Sequence, residues 1–112
     1  MTPARAAQIG HIRNTCFERE RHTCAACRAA LAMELDHFRG KARAESVETC
    51  WALCRPCHRE KTDNKPSRIH WLTLYARHCA IHRYTEALKW ALDEISWCST
   101  KAKLSDSKKE AR

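Results

Sequence analysis

Two Cys-x-x-Cys pairs, Cys24–Cys27 and Cys54–Cys57, constrain this chain more than any other feature. Each CxxC turn presents two thiolates from one knuckle. Two such turns complete a closed four-sulfur tetrahedron, the ligand set preferred by structural Zn²⁺. The 26 residues between Cys27 and Cys54 exceed what a short zinc finger encloses, so a whole strand–loop–strand is expected inside the closed segment. Cys50, four residues before Cys54, is the only credible substitute ligand; Cys16, Cys79 and Cys98 read as buried small hydrophobes or spare thiols.

Eight cysteines in 112 residues would suggest a disulfide framework in a secreted chain. The N-terminal stretch is polar and basic, however, and no stretch has the length of a signal h-region or a membrane span. The expectation is therefore reduced thiols, metal binding and a cytoplasmic location. The length fits one domain, and only two glycines and modest aromatic content argue against a long-stranded all-β fold.

The formal charge of +8 is uneven: residues 69–98 balance three basic against three acidic side chains, so the excess lies around the cysteine region and in the C-terminal tail. Four thiolates on one Zn²⁺ would take back about two of those charges. A basic surface beside a metal region points to nucleic acid as partner.

Residues 4–22 have helix-forming composition weakened by Gly10, with Ile9, Ile12 and Cys16 at helical spacing. Met33 to Phe38 alternates as a short strand, with Leu35 and His37 on one face and Asp36 on the other. A basic loop follows to about Glu48. Cys50 to Leu53 forms a second strand, and a helix from about Cys57 to Asn64 ends before Pro66. Beyond it, Trp71, Leu74, Tyr75, His78, Ile81, Leu88, Leu92 and Ile95 recur at helical steps, as one long helix or two with the weak point at residues 82–85. The final 14 residues read as a disordered basic tail. The organisation expected is thus a core at 1–68, a helical extension at 69–98 that packs on the core or self-associates, and a tail at 99–112.

Asp36, His37 and His58 stand out by placement. His58 follows a zinc-type ligand directly, and Asp36-His37 lies on a strand closed by the same cluster. A carboxylate and an imidazole on one divalent ion, beside a second imidazole of near-neutral pKa, suit metal-assisted phosphodiester hydrolysis. His70, His78 and His82 resemble a second metal cluster on the page, but no neighbouring carboxylate or cysteine motif accompanies them.

CAAC, ELDHF and LCRPCHREKT together resemble the zinc-knuckle branch of the HNH endonucleases, over roughly residues 16–65. The resemblance implies an α+β protein with a small ββα-metal (His-Me finger) core, stapled by the four cysteines and flanked by an N-terminal helix and a C-terminal helical extension. It implies a structural Zn²⁺ on Cys24, Cys27, Cys54 and Cys57, and a catalytic Mg²⁺, Mn²⁺ or other divalent ion on Asp36 and His58. His37 would be the general base. The family's orienting Asn falls at Thr49 here, and no Asn occurs between His37 and Asn64. Arg39, Lys41, Arg43, Arg55, Arg59, Lys61 and Lys65 would hold the DNA or RNA backbone. Two rivals stand beside the nuclease. One is a weakly active or inactive zinc-ribbon module that binds DNA or RNA. The other is an accessory subunit or homodimer using the helical stripe, as in a phage DNA-processing complex; the small size resembles stand-alone HNH proteins of phages.

Overall fold

Short amphipathic segments separated by knuckles and turns give four helices and one two-stranded sheet in the computed structural model, which describes residues 2–38, 46–63 and 65–110, with side chains only as far as 101. The fold class is small α+β. The chain divides into two units, Met1–Asp63 and Asn64–Arg112.

In the first unit, α1 spans Pro3–Arg19, with Thr2 capping its start by accepting from the Arg5 N–H at 3.2 Å. Pro3 opens the helix, where its missing N–H costs nothing. Gly10 does not interrupt it; a Cβ there would meet nothing within 4 Å. The helix ends where Arg21 (φ 54°) and His22 (φ 59°) turn left-handed, and the His22 N–H bonds back to the Phe17 carbonyl at 2.8 Å.

Strands β1 (Glu34–His37) and β2 (Cys50–Leu53) pair antiparallel, with Asp36 opposite Trp51 and His37 opposite Cys50. The Phe38 N–H to Thr49 carbonyl bond, 3.0 Å, continues the hairpin past the strands. Two strands alone are marginal in water, and both faces here are covered. On one face, Ile12, Cys16 and Phe17 of α1 pack against Leu35, Cys50 and Ala52. On the other lies α2, Arg55–Thr62, against β1. All four β2 residues are consequently buried. Helix α2 starts two residues before the expected Cys57, because Pro56 suits a first-turn position.

In the second unit, α3 (Arg68–Ile81) and α4 (Thr85–Glu110) form a helical hairpin. The break falls at the expected weak point. Arg83 adopts φ 60°, and the Tyr84 N–H reaches the Cys79 carbonyl at 2.9 Å. The break also resets the helical phase, so the stripe read from the sequence divides. Trp71, Tyr75 and His78 are buried, whereas Ile81 and Leu92 are about half exposed (49% and 52%). Leu72, Cys79, Ala87 and Ala91 fill the interior instead, and an Arg68–Glu94 ion pair of 3.6 Å joins the helices.

The backbone corrects one expectation. Residues 99–110, assigned by composition to a disordered tail, continue α4. Elongating an established helix needs no new nucleus, and no Gly or Pro occurs between Thr85 and Glu110.

Candidate functional site

The first knuckle hangs from β2. The Ala25 N–H donates to the Ala52 carbonyl at 2.8 Å and the Met33 N–H to the Leu53 carbonyl at 2.9 Å, with a Thr23–Leu31 bridge closing the loop behind. The second knuckle is the direct continuation of β2 into α2. Each CxxC is thereby fixed to the same strand, and the four sulfurs of Cys24, Cys27, Cys54 and Cys57 all lie within 4.8 Å of one another.

Their geometry fits a tetrahedral ion. Zn–S bonds of about 2.3 Å put tetrahedral sulfurs about 3.8 Å apart, and Cys27 Sγ lies 4.0 Å from Cys54 Sγ. The Cys27 N–H points at Cys24 Sγ, 3.5 Å away, as expected of a knuckle that stabilises thiolate. For Cys27, burial raises the thiol pKa, but backbone N–H groups of Ala29 and Ala30 and the neighbouring cysteines pull it down to about 7. Burial raises Cys54 and Cys57, in Cys57 strongly, with adjacent sulfurs adding to the rise. Four such thiols share one cation far better than they coexist as bare thiolates, so the set could hold a metal such as zinc. Cys50 is not part of it; it is fully buried with Cys16 and Ile12 in the α1–β2 core.

A second cluster lies on the α2 face of the sheet. Period-two alternation places Glu34 and Asp36 on the same side of β1, facing α2. His58, in the first turn of α2, sits between them, with Nε2 3.3 Å from Asp36 Oδ1 and Nδ1 3.3 Å from Glu34 Oε1. The carboxylates meet opposite nitrogens of one ring, so Glu34 sits behind His58 rather than beside Asp36. One turn along α2, Lys61 Nζ lies 3.2 Å from Asp36 Oδ2 and 4.6 Å from the Phe38 ring centroid. The indole Nε1 of Trp51 donates to Asp36 Oδ2 at 2.8 Å, and Phe38 meets Trp51 edge-on at 5.5 Å. Asp36 is thus a buried carboxylate with three cationic or N–H partners.

Asp36 and His58 are therefore brought together as their placement implied. His37 is half-buried at the end of β1, and strand alternation sends it to the face opposite Asp36. Thr49 follows the first turn of the 46–49 segment. Its hydroxyl accepts from the Ser46 N–H at 3.1 Å and donates to the Ser46 carbonyl at 3.3 Å. Of the expected nucleic-acid contacts, Arg55, Arg59 and Lys65 are exposed, while Lys61 is engaged with Asp36. Arg39, Lys41 and Arg43 lie outside the described residues.

The sequence reading passed over Glu34 and Trp51 as participants. Glu34 was detectable, since it stands two residues before Asp36 on a predicted strand and so shares its face. Trp51 required the register, which places it directly across from Asp36. No family model, curated protein or solved structure matches this chain. Among the described residues no helix is long and apolar enough to cross a membrane.

Proposed function

We propose that the first unit is a metal-dependent endonuclease domain of the ββα-metal type, hydrolysing phosphodiester bonds of DNA, with zinc on the four cysteines as its structural ion. The observation that carries this reading is the Asp36–His58 pair, presented from a strand and a helix tied to one sulfur cluster. Their ligand atoms are 3.3 Å apart. Two atoms each about 2.1 Å from a single ion lie about 3 Å apart at a right angle, so the spacing suits a shared Mg²⁺ or Mn²⁺.

Such an ion supplies Lewis-acid stabilisation of the phosphate and the leaving oxygen. The chain supplies the rest. Asp36, held by Trp51, offers an anionic oxygen ligand. His58 offers Nε2 when Nδ1 carries its proton, and Glu34 accepts that proton, fixing the tautomer. His37, where the hairpin leaves β1, takes a proton from the attacking water. Thr49 precedes the residue paired with His37, where a hydroxyl and a backbone carbonyl are available to steady the imidazole. Arg55, Arg59 and Lys65 hold the nucleic-acid backbone without reading sequence.

Nicking of supercoiled plasmid with Mg²⁺ or Mn²⁺ is the test, comparing wild type with His37→Ala and His58→Ala at equal zinc content. Loss of cleavage in both variants is expected. Unchanged cleavage by a folded His37→Ala protein would remove the base assignment. Salt-sensitive DNA binding without turnover in wild type would leave the non-enzymatic zinc module.

A further inference from the structure

Lys61 is held where the proposed second ion would act. Its ammonium touches both oxygens of Asp36, at 3.2 Å to Oδ2 and 3.4 Å to Oδ1. Oδ1 is the same oxygen that faces His58 Nε2. Both side chains are largely shielded, at 17% exposure for Lys61 and 7% for Asp36, so the attraction is weakly screened by solvent and salt. The stem lies along α2 one turn beyond His58, and the Phe38 ring holds the ammonium at 4.6 Å. An ammonium has three donors and no lone pair. It cannot ligate a metal; it can only compete with one.

From this geometry we propose that Lys61 is a built-in counter-ion that neutralises Asp36 while the site holds no divalent ion, and that a bound ion displaces it toward a substrate phosphate. The inference rests on the Asp36–His58 reading above. Without a cation, Asp36 would be a buried carboxylate supported mainly by one indole donor, an expensive arrangement. With Mg²⁺ or Mn²⁺ present, a third positive charge within a few ångströms is unfavourable, and Lys61 is the flexible member. An anionic phosphate arriving at the ion gives the ammonium its next partner. Metal and substrate thereby favour each other, since each relieves a cost left by the other's absence.

The test is Mn²⁺ titration of the zinc-loaded full chain by calorimetry, comparing wild type, Lys61→Met, Lys61→Arg and Asp36→Ala. Removing the competing charge should tighten Mn²⁺ about fivefold or more in Lys61→Met, and the thermal shift produced by Mn²⁺ should grow. Lys61→Arg, which keeps a cation beside Asp36, should stay near wild type. Equal or weaker binding by a folded Lys61→Met protein overturns the counter-ion role. If Asp36→Ala binds Mn²⁺ as wild type does, the metal site itself is wrong and the inference falls with it. The transfer to phosphate is read separately, by duplex DNA binding in Ca²⁺ across a salt series. Lys61→Met should weaken binding and lower the salt slope by about one; an unchanged slope overturns the transfer while leaving the competition in place.

Discussion

Trp51 Nε1 donates to Asp36 Oδ2 at 2.8 Å between residues that stand directly opposite each other in the hairpin. Cross-strand neighbours on one face are close by construction, so the register itself delivers a buried donor to the one buried carboxylate of the site. Trp51→Phe retains an aromatic body and removes that donor. Hydrogen bonds to charged groups contribute about 1.5–3 kcal/mol, and a loss of that size is expected. Urea unfolding of the zinc-loaded protein measures it. The same substitution in an Asp36→Asn background should cost less, and equal costs in both backgrounds would show that the bond is not the cause.

Glu34 supports His58 from behind, 3.3 Å from Nδ1. Outer-shell carboxylates of this kind orient a ligating imidazole, and their removal typically weakens metal affinity about 10- to 100-fold. Glu34→Ala should therefore loosen Mn²⁺ by about tenfold or more, while Glu34→Gln, which keeps an acceptor oxygen, should lose less. Calorimetry on both variants checks the order. Zinc content is expected to stay unchanged, because Glu34 lies outside the sulfur cluster.

Much of this was legible in the chain because its strongest signals are local. CxxC spacing fixes a knuckle, Pro66 limits a helix, and alternation over Met33–Phe38 places Asp36 opposite in face to His37. What needed three dimensions was the partnership across elements. Lys61 looked like one more exposed cation on a basic helix, yet its position one turn after His58 puts it on Asp36. The apolar stripe beyond Pro66 was legible as helix, but the turn at 82–84 shifted its phase and exposed Ile81 and Leu92. The lysine-rich end was misjudged because composition weighs burial and ignores that an elongating helix has already met its nucleation cost.

The sulfur cluster should make the first unit dependent on zinc and on pH. Burial keeps Cys54 and Cys57 protonated at neutral pH without metal, whereas the knuckle N–H groups lower Cys27 to about 7. Zinc binding must expel these protons, so affinity rises with pH and falls as acid competes. A chromogenic chelator should register steep zinc release below about pH 6, accompanied by loss of first-unit structure in circular dichroism. Cys57→Ser should release zinc at neutral pH. Structural zinc contributes on the order of 10 kcal/mol in small domains, so a folded, zinc-free Cys57→Ser protein would contradict its role as the staple.

Gly10 offers a gain without a contact. It lies within α1, and an added Cβ would touch nothing within 4 Å. Gly10→Ala should stabilise the first unit by about 0.5–1 kcal/mol through helix propensity and reduced freedom of the unfolded chain. A raised urea midpoint at unchanged m-value is the expected readout.

Arg28 carries the opposite kind of opportunity. It follows Cys27 in the first knuckle with φ 58°, and its N–H donates to the Cys24 carbonyl at 3.0 Å, so the left-handed turn is what brings the two sulfurs of this CxxC to one side. A side chain in that region is strained by roughly 1 kcal/mol, and glycine adopts it freely. Arg28 is exposed, so replacing it removes no buried contact. Arg28→Gly is therefore expected to stabilise the zinc-loaded protein by about 0.5–1 kcal/mol, with tighter zinc retention against a chelator. Arg28→Ala keeps the Cβ and should show neither gain. If alanine and glycine behave alike, the exposed charge rather than the backbone governs this position.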